Sequence, residues 1–356
     1  MMTDNKPGQG APLRVHMVCG EDPDSWILGK FAKNLVSELE KLGMEATLGD
    51  APDQAADINH YVIFLHYTLK NPAPPSPQTS GKSTLMVTHV DDFRRLDQLK
   101  QALESADLAI CMSRQTVAQL TASGLPTGKL TFVPPAHDGI ITPRPTVIGI
   151  TTRIYDDGRK KEHWIANLAP LIAPSDFSFR IMGEGWSELV AALRSDGFEV
   201  TYDEAFAPHK YHELFTAIDY YLYLGEDEGS MGFVDALAAG VKTIVAPQGF
   251  HLDAPGGITY PVKSFADLAN AFDDIAEKKV CRVAAVADWT WDAYAQQHAA
   301  IWRALAAGEP LPGPASKSEG CVSAGSVRLK FLRHSLWRRQ QRLKRRLSHL
   351  KKRFMG

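Results

Sequence analysis

The sequence predicts an α/β protein built from two doubly wound parallel sheets in tandem. Short apolar runs of strand length alternate with segments of helical spacing, and this alternation stops near residue 136 and restarts near residue 146. Such alternation favours a parallel sheet covered by helices on both faces. The chain has 356 residues, of which 44% are hydrophobic, and this is enough for two separate cores.

Strands are predicted where an apolar run is bounded by turn residues. In the first half these runs are residues 13–19, 61–67, 83–89, 107–113 and 129–135. In the second half they are residues 146–152, 177–183, 198–203, 219–225 and 241–247. The first helix is expected to end at Gly43, and Ser230 is expected to cap a helix over 231–239 that ends at Gly240.

The net charge of −2 conceals an uneven distribution. Residues 326–355 contain 12 Lys and Arg and no acid, so residues 1–325 carry 27 Lys and Arg against 41 Asp and Glu, a net charge of −14. The body of the chain is therefore acidic and its tail is basic. An acidic body fits an enzyme of small molecules better than a nucleic-acid-binding protein.

The tail, residues 326–356, has an apolar stripe at helical spacing. The stripe consists of Leu329, Leu332, Leu336, Leu343, Leu347, Leu350 and Phe354. Together with its cations, the stripe predicts a helix that binds an anionic membrane surface; docking on an acidic partner protein, or a coiled coil, is the alternative. Residues 308–325 are rich in Gly, Pro and Ser, which predicts a flexible linker before the tail.

Several other kinds of site find no support in the sequence. The run SGKST at 80–84 lacks the first glycine of a P-loop, and no GxGxxG follows the first strand. Cysteines and histidines lack metal-site spacing, so no metal is predicted. The chain has no run of 18 apolar residues and no signal-peptide pattern at its N-terminus, so a cytoplasmic location is expected.

Six segments share an order and spacing with those of a known enzyme family. They are ADLAICMSRQTVAQLTASGLPTGKLTFVPPAHDG, GITTRIYDDGRKKEHW, FSFRIMGEGWSEL, YHELFTAIDYYLYLGEDEG, DALAAGVKTIVAPQGF and DWTWDAYAQQHAAIW. A shorter run, THVDD at 88–92, is similar to the place where that family has a histidine after a strand. Together they resemble the retaining GT-B glycosyltransferases (family 4-like, group 1). The resemblance implies two Rossmann-like domains facing a cleft, an acceptor-side domain over 12–140 and a nucleotide-sugar domain over 141–285, with a helix over 286–307 that crosses back to the first.

The resemblance also implies roles for individual residues. Arg153 and Lys160 would stabilise the diphosphate of a nucleotide-sugar donor, while Glu228 and His89 would hold the transferred hexose. Further donor contacts fall on Gly183, Gly185, Asp227, Gly229, Ser230, Met231, Gly232 and Asp235. No cofactor and no metal are implied, because the nucleotide diphosphate sugar is itself the donor substrate.

These residue types suit that chemistry. Carboxylates accept hydrogen bonds from pairs of sugar hydroxyls, so Glu228 is expected on the hexose and Asp235 on the ribose. Two cations can balance a diphosphate leaving group, and the start of a helix at Met231 favours a phosphate beside it.

Other interpretations of the same residues stay open. The family has seven residues between its two acids, whereas six separate Glu228 from Asp235 and seven separate Asp227 from Asp235. Glu228 is favoured because Gly follows it, as in the family. A solvated turn would explain Glu226 and Asp227, and an exposed acid on an amphipathic helix would explain Asp235. The cations over 153–161 fit a surface cluster, and His89 fits a structural histidine.

The expected activity is transfer of a hexose, with retention, to a glycan or lipid-linked acceptor in bacterial cell-surface polysaccharide or lipopolysaccharide assembly. The expected location is peripheral, at the inner face of the cytoplasmic membrane. Two other classes remain: a GT-B scaffold without catalysis that acts as a binding partner, and a nucleic-acid binder that works through the tail.

Overall fold

The computed structural model describes residues 11–70, 81–312 and 340. These residues divide into two compact units, the first made of 11–139 with 288–312 and the second of 140–287. Each unit has one parallel six-stranded sheet, so the predicted class of two doubly wound α/β sheets is confirmed. Apart from Gln340, the predicted basic tail lies outside the described residues.

The first unit has six strands in the order β2-β1-β3-β4-β5-β6. The strands are β1 (Arg14–Val18), β2 (Glu45–Gly49), β3 (Ile58–Tyr61), β4 (Lys82–Val87), β5 (Leu108–Cys111) and β6 (Leu130–Phe132). The helices among its described residues are α1 (Ile27–Lys41), α2 (Phe64–Lys70), α3 (Phe93–Ser105), α4 (Arg114–Ala122) and α10 (Trp291–Ala307). Apolar clusters cover both faces of the sheet, as expected for a parallel sheet.

The strand predicted over 61–67 is wrong, since the strand β3 ends at Tyr61 and the helix α2 begins at Phe64. The apolar residues of this run are buried at helical spacing, with Phe64 and Tyr67 both inside the core. The true strand was hidden because its centre is polar: Asn59 hydrogen-bonds to the backbone of Asp53, and the His60 ring to Thr84. His66 therefore lies in a helix.

Helix α10 completes the first unit from the far end of the sequence. Its N-cap Thr290 accepts a hydrogen bond from the backbone of Ala293, and Gly308 ends it in a left-handed conformation. Tyr294 and Trp302 are fully inside the same apolar cluster as Met17 of β1. The core of this unit thus depends on residues encoded after the second unit.

The second unit has six strands in the order β12-β11-β10-β7-β8-β9. The strands are β7 (Thr146–Thr151), β8 (Phe177–Met182), β9 (Val200–Asp203), β10 (Tyr220–Tyr223), β11 (Lys242–Val245) and β12 (Tyr260–Pro261). Its helices are α5 (Glu162–Leu168), α6 (Ser187–Ser195), α7 (Pro208–Ala217), α8 (Met231–Ala238) and α9 (Phe265–Ala284). Clusters of buried apolar side chains again lie on both faces.

Strand order in the second sheet reverses at its centre. From β7 the chain proceeds through β8 to β9 on one side, and the later strands β10, β11 and β12 extend the sheet on the other side. Ligands of open α/β sheets bind beyond the carboxyl ends of the strands at such a reversal. The loops after β7 and β10 are therefore the first place to look for a site.

Within the described ranges, none of the helices combines the length and the apolar character that a membrane span requires.

Candidate functional site

The candidate site lies at the carboxyl edge of the second sheet, where the loops after β7 and β10 meet. The backbone N–H of Glu226, after β10, donates to the carbonyl oxygen of Arg159, after β7, at 3.0 Å. This bond joins the loop that carries the predicted cations to the loop that carries the predicted acids.

Lys160 and Asp227 form the centre of this junction. The Lys160 Nζ donates to Asp227 Oδ2 at 2.7 Å, to Asp227 Oδ1 at 2.9 Å and to the Tyr223 hydroxyl at 2.8 Å. Tyr223 in turn donates its hydroxyl hydrogen to Asp227, and the N–H of Gly229 donates to Asp227 Oδ1 at 2.9 Å. The structure therefore brings together three predicted donor-site residues, Lys160, Asp227 and Gly229, in one network.

The network has a strong effect on the Asp227 carboxyl group. Partial burial acts to raise its pKa, but hydrogen bonds from Lys160, Tyr223 and the N–H of Gly229 outweigh burial and lower the pKa to about 2. The pKa of the Tyr223 hydroxyl is raised, first by burial and then by its bond to Asp227. At neutral pH the site thus holds a carboxylate at Asp227 and a neutral phenol at Tyr223, both beside Lys160.

Two more cations flank this centre. The guanidinium Cζ of Arg159 lies 4.0 Å from the centroid of the Tyr155 ring, and its Nε is 3.5 Å from Asp227 Oδ2. The Lys161 Nζ contacts Glu226 Oε1 at 2.7 Å. Lys161 has a φ of 54°, a left-handed conformation that glycine adopts more readily.

The loop after β8 packs tightly on the loop after β7. Gly183 has a φ of 142°, and a Cβ atom there would lie 2.1 Å from the carbonyl oxygen of Thr152. The Trp186 Nε1 donates to the same oxygen at 2.6 Å, while Gly185 has a φ of 90°. Gly183 is therefore required by the close contact of two backbones, and Gly185 by its positive φ, whatever ligand binds there.

Arg153 stands directly after β7, as predicted, and its side chain is about half exposed. Its Nη2 contacts Glu184 Oε2 at 2.8 Å, across the same pair of loops. The structure does not bring Arg153 into the network of Lys160 and Asp227.

Glu228 is exposed, in contrast to Asp227, and its carboxylate lies beside the loop after β11. A Cβ atom added at Gly249 would lie 2.3 Å from Glu228 Oε1, so only glycine leaves room for the Glu228 side chain in this conformation. In the same loop, the Gln248 side-chain amide donates to the carbonyl oxygens of Gly225 and Asp227. Gln248 thus fixes the backbone of the acidic loop.

Helix α8 begins at Met231, as predicted, but the expected cap is wrong. The side chain of Ser230 makes no capping hydrogen bond, because its hydroxyl is 3.0 Å from the Tyr221 hydroxyl in the core. Gly232 is buried, and a Cβ atom there would lie 2.2 Å from the hydroxyl of Thr151. Met231 is exposed at the start of the helix.

Asp235 lies inside α8 and is half-buried. Its Oδ2 accepts a hydrogen bond from the Tyr211 hydroxyl of α7 at 2.5 Å. Burial, followed by this bond, raises the pKa of Tyr211. Asp235 is therefore held by a hydrogen bond from the neighbouring helix α7.

His89 lies in the first unit, two residues after β4, and its ring is exposed. Its Nδ1 is 2.9 Å from the Thr88 hydroxyl, and its Nε2 accepts a hydrogen bond from Arg95. Arg95 is also paired with Asp91 at 3.3 Å. A surface network thus orients the His89 ring at the carboxyl edge of the first sheet.

Sequence reasoning missed three side chains of the site: Tyr155, Tyr223 and Gln248. Tyr223 belongs to the strand predicted over 219–225, and a tyrosine at the carboxyl end of a strand can direct its hydroxyl into the loops above. Gln248 follows a proline after β11, where a polar side chain is a comparable signal.

No profile of a known protein family matches the chain, and no curated protein matches it significantly. Solved structures of glycosyltransferases do resemble it. HepE of Anabaena, determined with UDP and glucose, is 12% identical, with 80% of this chain and 98% of that chain covered at a TM-score of 0.34.

Two other solved structures give similar values. Sucrose-phosphate synthase of Thermosynechococcus elongatus is 14% identical over 83% of this chain and all of its own, at a TM-score of 0.37. The lipopolysaccharide outer core galactosyltransferase WaaB is 14% identical over 80% of this chain and 97% of its own, at a TM-score of 0.32. These likenesses concern the fold, and the chemistry of this chain has to be argued from its own residues.

Proposed function

We propose that the chain is a glycosyltransferase that moves a hexose from a nucleoside diphosphate sugar to a glycan or lipid-linked acceptor. One observation carries this proposal: Lys160, after β7, meets Asp227, after β10, at 2.7 Å where the order of the strands reverses. Open α/β sheets bind their ligands at this place. Cations and acids side by side match a donor that carries both phosphates and hydroxyls.

The residues around this contact would divide the work of binding. The cations after β7 would balance the negative charge that grows on the diphosphate as it leaves, which is electrostatic stabilisation of the transition state. The start of α8 offers backbone N–H groups and a favourable dipole for a phosphate. The proposed reaction needs no metal, because the chain itself supplies the cations.

Glu228 is the better candidate for the hexose. An ionised carboxylate has about four lone-pair sites. Asp227 accepts hydrogen bonds from Lys160, Tyr223 and Gly229, so protein groups already use its acceptors. Glu228 is exposed, and its oxygens are accessible to sugar hydroxyls.

Exchanging each acid for its amide tests this division. Glu228→Gln should lower turnover while leaving stability unchanged, since an amide accepts hydroxyl hydrogen bonds less strongly than a carboxylate. Asp227→Asn should instead lower the free energy of unfolding by about 2 kcal/mol, because it leaves the buried Lys160 beside a neutral group. Steady-state kinetics and denaturant unfolding of both variants measure the two effects. If Asp227→Asn loses turnover but keeps full stability, and Glu228→Gln keeps its turnover, Asp227 would be the residue that binds the hexose.

A thermal-shift screen of the full chain tests the proposed function directly. UDP-, GDP-, ADP- and CMP-sugars should be compared, because ligand binding stabilises the folded state by mass action, by about 2.7 kcal/mol at one hundred times Kd. At least one nucleoside diphosphate sugar should raise the melting temperature, while the CMP-sugars, which have a single phosphate, serve as the matched control. If none of the diphosphate sugars shifts the transition, the donor site is wrong.

We further propose retention of the anomeric configuration and a role in cell-surface polysaccharide assembly. The support is the sequence resemblance together with the tail over 326–356. Product stereochemistry, followed by NMR with the donor found in the screen, decides between retention and inversion.

The tail would bind the chain to an anionic membrane from the cytoplasmic side. Each cation near such a surface contributes about 1 kcal/mol, and the apolar stripe would enter the headgroup region. Flotation should recover the full chain with vesicles rich in anionic lipid at low salt, and a chain ending at Gly325 should stay in solution. Equal flotation of both chains, or of neither, would contradict the membrane role, and a protein partner would replace it.

A further inference from the structure

The side chain of Lys160 is almost completely enclosed. An ammonium group has three N–H donors, and the Lys160 Nζ has three acceptor atoms around it: both carboxylate oxygens of Asp227 and the Tyr223 hydroxyl. Only 5% of this side chain is exposed. A phosphate could reach the ammonium only after a bond to Asp227 had been broken.

The neighbouring Arg159 is placed differently. Its side chain is 43% exposed, and its Nε is at 3.5 Å from both Asp157 and Asp227, longer than a good hydrogen bond. Among the described residues, no protein group accepts a hydrogen bond from its two terminal nitrogens. The Tyr155 ring centroid lies 4.0 Å from the guanidinium carbon, a cation–π contact that holds the group without using its N–H donors.

The backbone fixes this cation at the same junction. Because the Arg159 carbonyl oxygen accepts the N–H of Glu226, the residue is tied to the loop after β10. The backbone of Arg159 is therefore held where the order of the strands reverses, beside the loop that leads into α8.

We propose that Arg159 is the residue that contacts the diphosphate, and that Lys160 is a positioning residue which, with Tyr223, holds Asp227 and the acidic loop. This inference rests on the proposed function, since it names the phosphate-binding group of the same site. An arginine already held by a cation–π contact loses little freedom when its guanidinium donates two parallel hydrogen bonds to phosphate oxygens. The network of Lys160 and Asp227, in turn, keeps the platform under it fixed.

Isothermal titration of the full chain with UDP, GDP and ADP provides the test. With whichever diphosphate binds the unchanged chain, Arg159→Gln should weaken affinity roughly tenfold to a hundredfold, as expected for the loss of a charge-assisted contact. The melting temperature should not change, because the side chain is partly exposed. Arg159→Lys should recover only part of the affinity, since it keeps the charge and loses the planar fork.

Two further variants separate contact from positioning. Arg144→Gln is the matched control, an exposed arginine paired with Asp219 next to the amino end of β7, and it should bind the diphosphate as the unchanged chain does. Lys160→Met should lower the melting temperature and cost less affinity than Arg159→Gln. The salt dependence of diphosphate binding should flatten in Arg159→Gln and persist in Lys160→Met, which a purely structural role of Arg159 would not produce.

The outcomes that contradict the inference are distinct from those that contradict the proposed function. Affinity for the diphosphate that stays unchanged in Arg159→Gln, or a larger loss in folded Lys160→Met, would return the contact to Lys160. If Lys160→Met does not fold, the result for Arg159→Gln decides alone. If none of the three diphosphates binds the unchanged chain, the proposed function itself fails and the inference fails with it.

Discussion

Gly183 shows how strongly a single residue constrains the candidate site. Its φ of 142° is a conformation for glycine, and the position of a Cβ atom is already taken by the backbone of Thr152. Any side chain here would push the loops after β7 and β8 apart, and Arg153 would move with them.

Gly183→Ala should therefore lower the free energy of unfolding by about 3 kcal/mol, because a steric clash with backbone adds to the unfavourable φ. Gly158→Ala is the matched control: its φ of 69° is also left-handed, but nothing lies within 4 Å of the added atom. That variant should cost only about 1–2 kcal/mol. Urea unfolding of both proteins measures the difference, and equal losses would show that the clash is relieved.

The contribution of Asp227 to the stability of the protein depends on pH. Its pKa in the folded protein, about 2, is lower than the ordinary value of 3.8. The stabilisation by its network is therefore fully present above pH 3.8 and is lost as the pH falls towards 2. In Asp227→Asn this loss should disappear from the acid limb of the stability curve, as measured by denaturant unfolding at a series of pH values.

At the scale of elements, strand β3 and helix α10 meet through two buried histidines. His60 and His298 have ring centroids 5.6 Å apart, and both are inside the core. Burial lowers the pKa of His298 to about 4, although a hydrogen bond to the Tyr294 carbonyl oxygen opposes this. Burial, followed by the charge of His298, lowers the pKa of His60.

The first unit should lose stability as the pH falls through the range from 6.5 to about 4. Both histidines are neutral when folded and take up a proton more readily when unfolded, so stability is fully present above pH 6.5. Each contributes a slope of up to about 1.4 kcal/mol per pH unit. His298→Phe should reduce the slope, as measured by denaturant unfolding at a series of pH values. An unchanged slope in His298→Phe would contradict the assignment.

Elements with a strong apolar period were predictable from the sequence, and elements defined by their partners were not. Strands such as β8, in which Phe177, Phe179 and Ile181 are buried in the core, appear where they were expected. Strands β2 and β12 lie at the edges of their sheets, β12 with only two residues, and β3 has Asn59 and His60 at its centre. Their pairing depends on neighbours that a local pattern does not contain.

The same distinction holds for the site. The family resemblance implied Lys160, Asp227 and Glu228 as candidates, and their residue types suit a donor that needs cations and acids. The partners of those residues depend on which loops become neighbours, so Tyr223 and Gln248 could not be identified. For the same reason, the Ser230 hydroxyl, which was expected to cap α8, instead lies within hydrogen-bonding distance of the Tyr221 hydroxyl.

At the scale of the whole molecule, the second unit is an insertion into the first. The chain leaves the first unit after Gly139 and returns at Asp288, and the N–H of His137 donates to the carbonyl oxygen of Trp289 at 2.8 Å. The two ends of the insertion are thus held together by the first unit.

A fragment of residues 140–287 should fold alone, because its apolar clusters contain only its own residues. A fragment of residues 11–139 should not fold without 288–312, since Tyr294, Ala299 and Trp302 fill its core. Circular dichroism and cooperative thermal unfolding of each fragment measure this. A cooperative transition in 11–139 alone would show that α10 is dispensable.

The return of α10 to the first sheet also determines when each part of the protein can mature during synthesis. Domains fold as units as they leave the ribosome, in general from the N-terminus. Residues 11–139 are made first but cannot complete their core until Trp302 has been translated. Residues 140–287, in contrast, contain all the side chains of their own core. The middle of the gene should therefore encode the part that folds first, and until α10 emerges the nascent first unit should expose the apolar face that chaperones bind.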